Sequence, residues 1–469
     1  SRRQRQMCIR DSFYAAMALA VMSSCSKDND PGIGNPEENN DKAVIALGLD
    51  VPTVTASTRG TGSVGDVAGD QNTWNSQKLY IYMVDRNTGL EAEEGAENAK
   101  TKILDNGVLE FRAPKADAQD KGAIRIYKSY TEDSDNGVIQ YKYYPTNGQY
   151  TFYGYHIDDA ANANPSITAT EKKVTNVTID GTQDLLAAKT IDMAENDASA
   201  ADPESFYKDI ATSLGSEWTT LMNYQFGART ARKGIVPVLK FEHQLARLKF
   251  FVRAGSESAA GYEWQTNQWV ERKSSDAEPK TLGMQVTKIT LKDMANVVDM
   301  DLTVPSSTRN GAGVADFVVC SKDDAANDKL DPTKGLIVPV VPKYPYGDRN
   351  IPESDPDTKG TQVGEPVMFF PIDGTNNEGD ITLSIDLKQY VEDTKDEATG
   401  TITYKEVEKA DNKLTIEQSK ISGATQKFMP GASYNVYITI YGFEKIEVTA
   451  VLTAWENGGD IDADIEDGK

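Results

Sequence analysis

The stretch Leu239–Arg253, LKFEHQLARLKFFVR, is decisive for the fold because its apolar pattern changes phase in the middle. One alternation carries Leu239, Phe241 and Leu245, and a shifted one carries Leu248, Phe250 and Val252. Spacings of three and four residues also fit one face of a helix, so periodicity alone leaves helix and strand open. The β-branched and aromatic residues at both ends favour one long strand with a bulge at the phase shift.

Short runs typical of strands lie on both sides of this stretch, each bounded by Gly, Asn, Asp or Pro. The runs before it are Ala43–Val51, Leu79–Val84, Ala123–Tyr130, Val138–Tyr144, Tyr150–Tyr155 and Val174–Ile179. The runs after it are Gln285–Leu291, Gly313–Cys320, Leu336–Val341, Val367–Pro371, Ile381–Leu387, Thr401–Val407, Tyr434–Tyr441 and Lys445–Trp455. Their number and spacing predict an all-β chain with two sandwich domains in tandem, residues 43–234 and 235–469.

The first run has the clearest alternation, with Ile45, Leu47, Leu49 and Val51 on one face. Such a face is expected to be buried. The residues Tyr143–Tyr150 contain Pro145 and Asn147-Gly148 between apolar ends, which predicts a hairpin.

A single helical signal interrupts the strand pattern. Asp202-Pro203-Glu204 resembles an N-cap and first turn. Phe206, Ile210 and Leu214 follow at helical spacing, and Gly215 closes the run. The pattern predicts one short helical insertion in an otherwise β framework.

The composition excludes several classes of function. The chain has 469 residues and a formal net charge of −23, which disfavours binding to nucleic acid. The chain has two His and three Cys, too few for most metal-ligand clusters or for Cys/His nucleophile pairs. The match to a dinucleotide motif at 60–65 lacks the helix that must follow it. We therefore expect no cofactor, no metal site and no enzyme activity.

The first residues indicate export. Residues 1–12 resemble a translated sequencing adapter, and residues 13–21 form a short apolar run like that of a signal peptide. Small residues then precede Cys25, as in a lipobox, so Cys25 is the predicted lipidation site and residues 1–24 are expected to be removed. Residues 25–42 contain little that is apolar and form a predicted flexible tether.

Seven aromatic residues lie close together around the predicted hairpin. Tyr141, Tyr143 and Tyr153 are candidates for a platform that binds a sugar. Packing of rings across neighbouring strands is the more ordinary explanation for the same residues.

Several of these segments together resemble the fimbrillin family of lipoprotein pilins and their relatives. The resemblance is carried by the Cys25 lipobox, Tyr144–Tyr155, Gly181–Leu186 (GTQDLL), Leu239–Leu248, Phe428–Tyr434 (FMPGASY) and Val448–Trp455. It implies two transthyretin-like β-sandwiches and a surface-exposed lipoprotein of the outer membrane.

The resemblance also implies a route of assembly. An arginine-specific protease removes the first strand, and a strand of a neighbouring pilin subunit takes its place. Residues 43–54 are then the leaving strand, and Arg59, in a Gly/Ser/Thr stretch, is the candidate cleavage site. The chain is accordingly expected to be a pilus subunit. The alternative is a surface adhesin or glycan-binding lipoprotein that does not polymerise.

Overall fold

The computed structural model describes residues 43, 45, 47–50, 66–67, 70–71, 78–95, 100–104, 107–111, 124–126, 142–157, 166–168, 172–193, 207–266, 268–276, 278–311, 313–323, 330, 335–339, 360–372, 379–421 and 427–453. Within these ranges strands dominate and form several sheets, most of them antiparallel. The prediction of an all-β fold is confirmed.

The strands before residue 244 are β1 Gly48–Asp50, β2 Asp66–Val67, β3 Asp70–Gln71, β4 Lys78–Asp85, β5 Glu93–Glu94, β6 Thr101–Lys102, β7 Gly107–Phe111, β8 Ile124–Ile126, β9 Tyr150–Ile157, β10 Ser166–Thr168, β11 Lys173–Thr178, β12 Leu185–Thr190 and β13 Val238–His243. Between β12 and β13 lie three short helices, α1 Lys208–Leu214, α2 Ser216–Met222 and α3 Ala228–Ala231.

The later strands are β14 Ala246–Ala254, β15 Tyr262–Gln265, β16 Gln268–Glu271, β17 Gln285–Ala295, β18 Val297–Asp301, β19 Ser306–Arg309, β20 Val314–Ser321, β21 Leu336–Ile337, β22 Thr361–Phe369, β23 Ile381–Lys395, β24 Ile402–Ile416, β25 Ser433–Gly442 and β26 Lys445–Thr453. A 3₁₀ turn, Gln418–Lys420, follows β24.

The first large sheet has seven strands in the order β1-β13-β12-β9-β4-β7-β8. Alternating side chains place its two faces in two different cores. Ile81, Met83 and Phe152 belong to the core that the helices share. Tyr82, Val84 and Tyr155 belong to the core of the C-terminal half. The middle of this sheet is therefore buried on both sides.

The two larger sheets of the C-terminal half are ordered β22-β14-β25-β26 and β20-β17-β23-β24, and β15 and β16 form a separate pair. Side chains of both sheets, including Leu248, Phe250, Ile289 and Ile385, share one hydrophobic core. Two sheets that bury facing side chains in this way form a β-sandwich. A smaller sheet, β10-β11-β18-β19, joins strands from both halves of the chain.

The stretch Leu239–Arg253 is not one long strand, so that prediction is wrong. It holds two strands, β13 and β14, which belong to different sheets and are separated at Gln244–Leu245. The phase shift in the apolar pattern marks the passage of the chain from one sheet to the other. The predicted domain boundary between 234 and 235 stays a prediction, and β13 lies after it while pairing with β12 before it.

The hairpin predicted at Tyr143–Tyr150 is also wrong. β9 pairs with β4 and β12, whereas the backbone of Lys142 and Tyr144 bonds to that of Ile45 and Ala43. The turn residues Pro145 and Asn147-Gly148 do not produce a hairpin, because the segment before them pairs with residues far away in sequence.

The helical insertion is confirmed where it falls on described residues. α1 ends at Leu214, and Gly215 follows with φ of 52°. This left-handed conformation favours glycine. The helices α2 and α3 were not predicted.

A long hairpin extends from the C-terminal sandwich. β23 and β24 each contain 15 residues, and their pairing runs from Ile381↔Ile416 to Lys395↔Ile402. The pairing of β17 with β23 reaches Lys388. From Val391 to Lys405 the hairpin forms a two-stranded arm, and most of its side chains are exposed.

Candidate functional site

The predicted leaving strand lies at an edge of the seven-stranded sheet. We call its described residues, 43, 45 and 47–50, the first segment. β1 pairs in parallel with β13, with Gly48 opposite Val238 and Asp50 opposite Lys240. Upstream, the N–H of Ile45 donates to the carbonyl of Lys142 at 2.8 Å, and the N–H of Tyr144 donates to the carbonyl of Ala43 at 2.9 Å. The first segment thus bonds to two separate pieces of chain.

The apolar face of the first segment is buried. Ala43, Ile45 and Leu47 are 7%, 3% and 7% exposed, and all three belong to the core beside the helices. Full burial of one side chain of the size of Ile or Leu stabilises the folded protein by about 1.5–3 kcal/mol. The predicted burial of this face is therefore correct at 45 and 47. The side chain of Leu49 and all of Val51 lie outside the described part of the chain.

Aromatic residues of the helices line the same core. The ring of Tyr207 lies 6.0 Å from that of Trp218 and 6.1 Å from that of Phe226, measured between centroids. The N–H of Val238, at the start of β13, donates to the hydroxyl of Tyr207 at 2.9 Å. Burial raises the pKa of Tyr207. The helical insertion therefore supports β13, the strand with which β1 pairs.

Tyr144, whose backbone bonds to Ala43, places its side chain in this core. Its ring is 5.9 Å from Tyr150 and 6.2 Å from Phe152. Burial is the main cause of its raised pKa, and the neighbouring Tyr207 and Tyr150 add to it. Lys142 itself forms an ion pair with Glu94 at 2.9 Å. The ring packing agrees with the ordinary explanation of the aromatic cluster, whereas the pairing of Lys142–Tyr144 with Ala43 and Ile45 could not be identified from the sequence.

Most of the predicted aromatic cluster packs inside the protein. Tyr144, Tyr150, Phe152 and Tyr155 are buried, and Tyr155 stacks on Tyr80 with 4.8 Å between ring centroids. Tyr143 and Tyr153 are half-buried, and burial is the main cause of the raised pKa of Tyr153. Tyr141 lies outside the described residues. The sugar-platform role of these tyrosines stays a prediction.

The other predicted site residues, Cys25 and Arg59, also lie outside the described residues. Among those described, no three His, Cys, Asp or Glu side chains are placed to share a metal ion. No helix in the described ranges is long and apolar enough to cross a membrane.

Asp184 and His243 form a buried pair that the sequence did not reveal. The Nδ1 of His243 lies 2.7 Å from Oδ2 of Asp184. The other carboxylate oxygen of Asp184 accepts the N–H of Leu185 at 2.8 Å. The pair joins the start of β12 to the end of β13, so it braces the strand that carries β1. His243 is thus a buried histidine of the core.

Comparison with known proteins gives structural similarities at low identity. No protein-family model and no curated protein matches the chain. A candidate cell adhesion protein from Bacteroides uniformis is 11% identical with a TM-score of 0.41, covering 90% of this chain and 100% of that one. The fimbrial anchor protein Mfa2 from Porphyromonas gingivalis is 10% identical with a TM-score of 0.27, covering 88% and 98%. The tip fimbrial protein Mfa3 from Porphyromonas gingivalis, with a C-terminal truncation, is 10% identical with a TM-score of 0.32, covering 88% and 100%.

Proposed function

We propose that the chain is a structural subunit of a cell-surface pilus that assembles by exchange of its first strand. The observation that supports this proposal is the first segment, which occupies a sheet edge while three of its side chains fill a hydrophobic core. An edge strand can leave without breaking the sheet in two, and a central strand cannot. The exported form is a lipoprotein, anchored to the outer membrane through Cys25.

The proposed assembly begins when an arginine-specific protease cuts after Arg59. Loss of the first segment leaves the edge of β13 and the backbone of Lys142–Tyr144 without their partner. It also exposes the apolar slot that held Ala43, Ile45 and Leu47. A strand from a neighbouring pilin subunit then adds to the edge and fills the slot. This role is structural, and we propose no enzyme activity.

The test uses the purified mature chain and an arginine-specific protease. We expect cleavage after Arg59, followed by a ladder of oligomers that resists SDS. The variant Arg59→Gln is the matched control, and it is expected to stay intact and monomeric. Complete cleavage after Arg59 that yields only monomers would contradict the proposal.

A second candidate function is a surface adhesin that binds glycans and does not polymerise. The partial exposure of Tyr143 and Tyr153 favours it, because aromatic rings that solvent can reach can stack on sugars. Binding on a glycan array that Tyr143→Ala abolishes, together with the absence of a ladder, would favour this candidate over the first.

A further inference from the structure

A notch that charged and polar side chains line lies on the outer face of the sheet β20-β17-β23-β24. Its volume is about 280 Å³. Register irregularities border it between β17 and β20, between β17 and β23 and between β23 and β24. They lie at Ile289/Thr290, Leu291/Met294, Val286/Lys288 and Ile385/Leu387. Every residue that lines the notch is described, so its chemistry can be assigned directly.

Two polar side chains of β17, Thr290 and Lys288, line this notch. Thr290 lines it and is 5% exposed, and its hydroxyl makes no hydrogen bond to any residue that the structure describes. Lys288, two residues earlier on the same face of β17, forms no ion pair within the described ranges. A hydroxyl that opens onto the notch and makes no hydrogen bond within the described protein can both donate to and accept from a ligand.

Carboxylates on the facing strands are held in place by the protein. Oδ1 of Asp386 accepts the N–H of Asp411 at 2.7 Å. Oδ1 of Asp411 accepts the hydroxyl of Ser384 at 2.8 Å, and this bond is the main cause of the lowered pKa of Asp411. Both carboxylates are therefore held in place and offer acceptor oxygens at fixed positions. Lys292 and Asp316 form an ion pair at the other end of the notch.

We propose that this notch binds one neutral hexose unit of a glycan. A sugar hydroxyl both donates and accepts, so it can bridge an ammonium group such as Lys288 and a carboxylate such as Asp386. The aspartates would repel an anionic ligand, and the lysines would repel a cationic ligand. The volume lies just under the range of about 300–1,000 Å³ that holds drug-sized ligands, which fits a single sugar ring.

The affinity of one notch is expected to be weak. No aromatic ring lines it, so stacking contributes nothing and we expect a Kd of about 1 mM. Many copies displayed on one surface would raise the overall affinity by about 10²–10⁴ without any new contact. The inference requires only display on a surface and does not depend on strand exchange.

Binding can be tested on the mature full-length chain with methyl hexosides. Saturation-transfer NMR against a panel of neutral methyl hexosides, with methyl glucuronoside as the charged comparison, should give a saturable signal for at least one neutral sugar. The same sugar, coupled in many copies to a carrier protein, should bind the immobilised chain in surface plasmon resonance.

Three variants locate the site. Thr290→Val should weaken binding about three- to tenfold, which corresponds to one hydrogen bond. Asp386→Asn and Lys288→Met should weaken it at least as much, and Lys288 is half-exposed, so this variant is expected to fold. Thr449→Val is the matched control, an exposed threonine of β26 in another sheet. The proposal is overturned if no neutral hexoside gives a saturable signal, if the glucuronoside binds best, or if folded variants bind like the control.

Discussion

At the scale of single residues, the buried hydroxyl of Tyr144 destabilises the folded protein. It has no hydrogen-bond partner in the described part of the chain. Removing a buried polar group that lacks a partner recovers part of its desolvation cost, about 1–3 kcal/mol. We therefore expect Tyr144→Phe to raise the free energy of unfolding by about 1 kcal/mol in urea denaturation at pH 8. A loss of stability of that size would instead indicate that the hydroxyl is satisfied.

The same substitution should change the response to alkali. Burial raises the pKa of Tyr144 in the folded protein, and it raises that of Tyr150 to about 12. The folded state thus holds these phenol protons more tightly than the unfolded state, whose tyrosines titrate at about 10. Below pH 10 these phenols are protonated in both states and the free energy of unfolding is at its full value. It falls as the pH rises from 10 through the pKa values of the folded protein. Tyr144→Phe should therefore weaken the fall in stability above pH 10.

Ile45 tests how strongly the first segment is held. We expect Ile45→Ala to lower the free energy of unfolding by about 2–4 kcal/mol, because a buried side chain is lost and a cavity remains. Leu90→Ala is the matched control at a side chain that is 57% exposed, and it should change stability by less than about 0.5 kcal/mol. Equal effects of the two substitutions in urea denaturation would show that the slot does not bind Ile45 tightly.

At the scale of elements, the arm at the end of the β23–β24 hairpin differs from its base. At the base, β23 lies between β17 and β24, and beyond Lys388 it pairs with β24 alone in the described chain. Isolated two-stranded ribbons are marginally stable in water. In hydrogen exchange, the amides of Val391–Lys395 should exchange at least about tenfold faster than those of Ile381–Leu387. Equal protection along β23 would mean that another part of the protein covers the arm.

The tip of the arm is built by local chemistry that a sequence can reveal. The carboxylate of Asp396 accepts the N–H of Ala398 at 2.8 Å and that of Thr399 at 3.2 Å. Gly400 has φ of 71°, which a residue with a side chain adopts only with strain. Sequence analysis nevertheless ended the strand before this tip at Leu387, because exposed charged residues such as Glu392 do not show the apolar alternation that indicates a strand. The predicted run Thr401–Val407 does cover the start of β24.

At the scale of the whole molecule, the seven-stranded sheet connects both halves of the chain. One of its faces, carrying Tyr82, Val84 and Tyr155, packs into the C-terminal core. We therefore expect a fragment of residues 43–243 to bind the dye ANS and to lack a cooperative thermal transition, since that apolar face would meet water. The chain 43–469 is the control and should bind little dye. Cooperative melting of the fragment without dye binding would indicate two independent halves.

Sequence patterns predicted the kind of structure better than its connections. The alternation in residues 43–51 identified the strand that carries the candidate site and the face that it buries. The phase shift in Leu239–Arg253 was noticed, but its meaning depended on two sheets that only tertiary pairing defines. The bonds of Lys142–Tyr144 and the Asp184–His243 pair join residues far apart in sequence. No local propensity encodes such partners.

The two attachments of the first segment also have a mechanical consequence. A pull on the chain ahead of residue 43 reaches the bonds of Ala43 and Ile45 to Lys142–Tyr144 before it reaches the ladder between β1 and β13. Tension from an anchored N-terminus would therefore load those two hydrogen bonds first, while β13 and the sheet behind it stay unstressed. The first segment would then detach under a force that leaves the rest of the sheet folded.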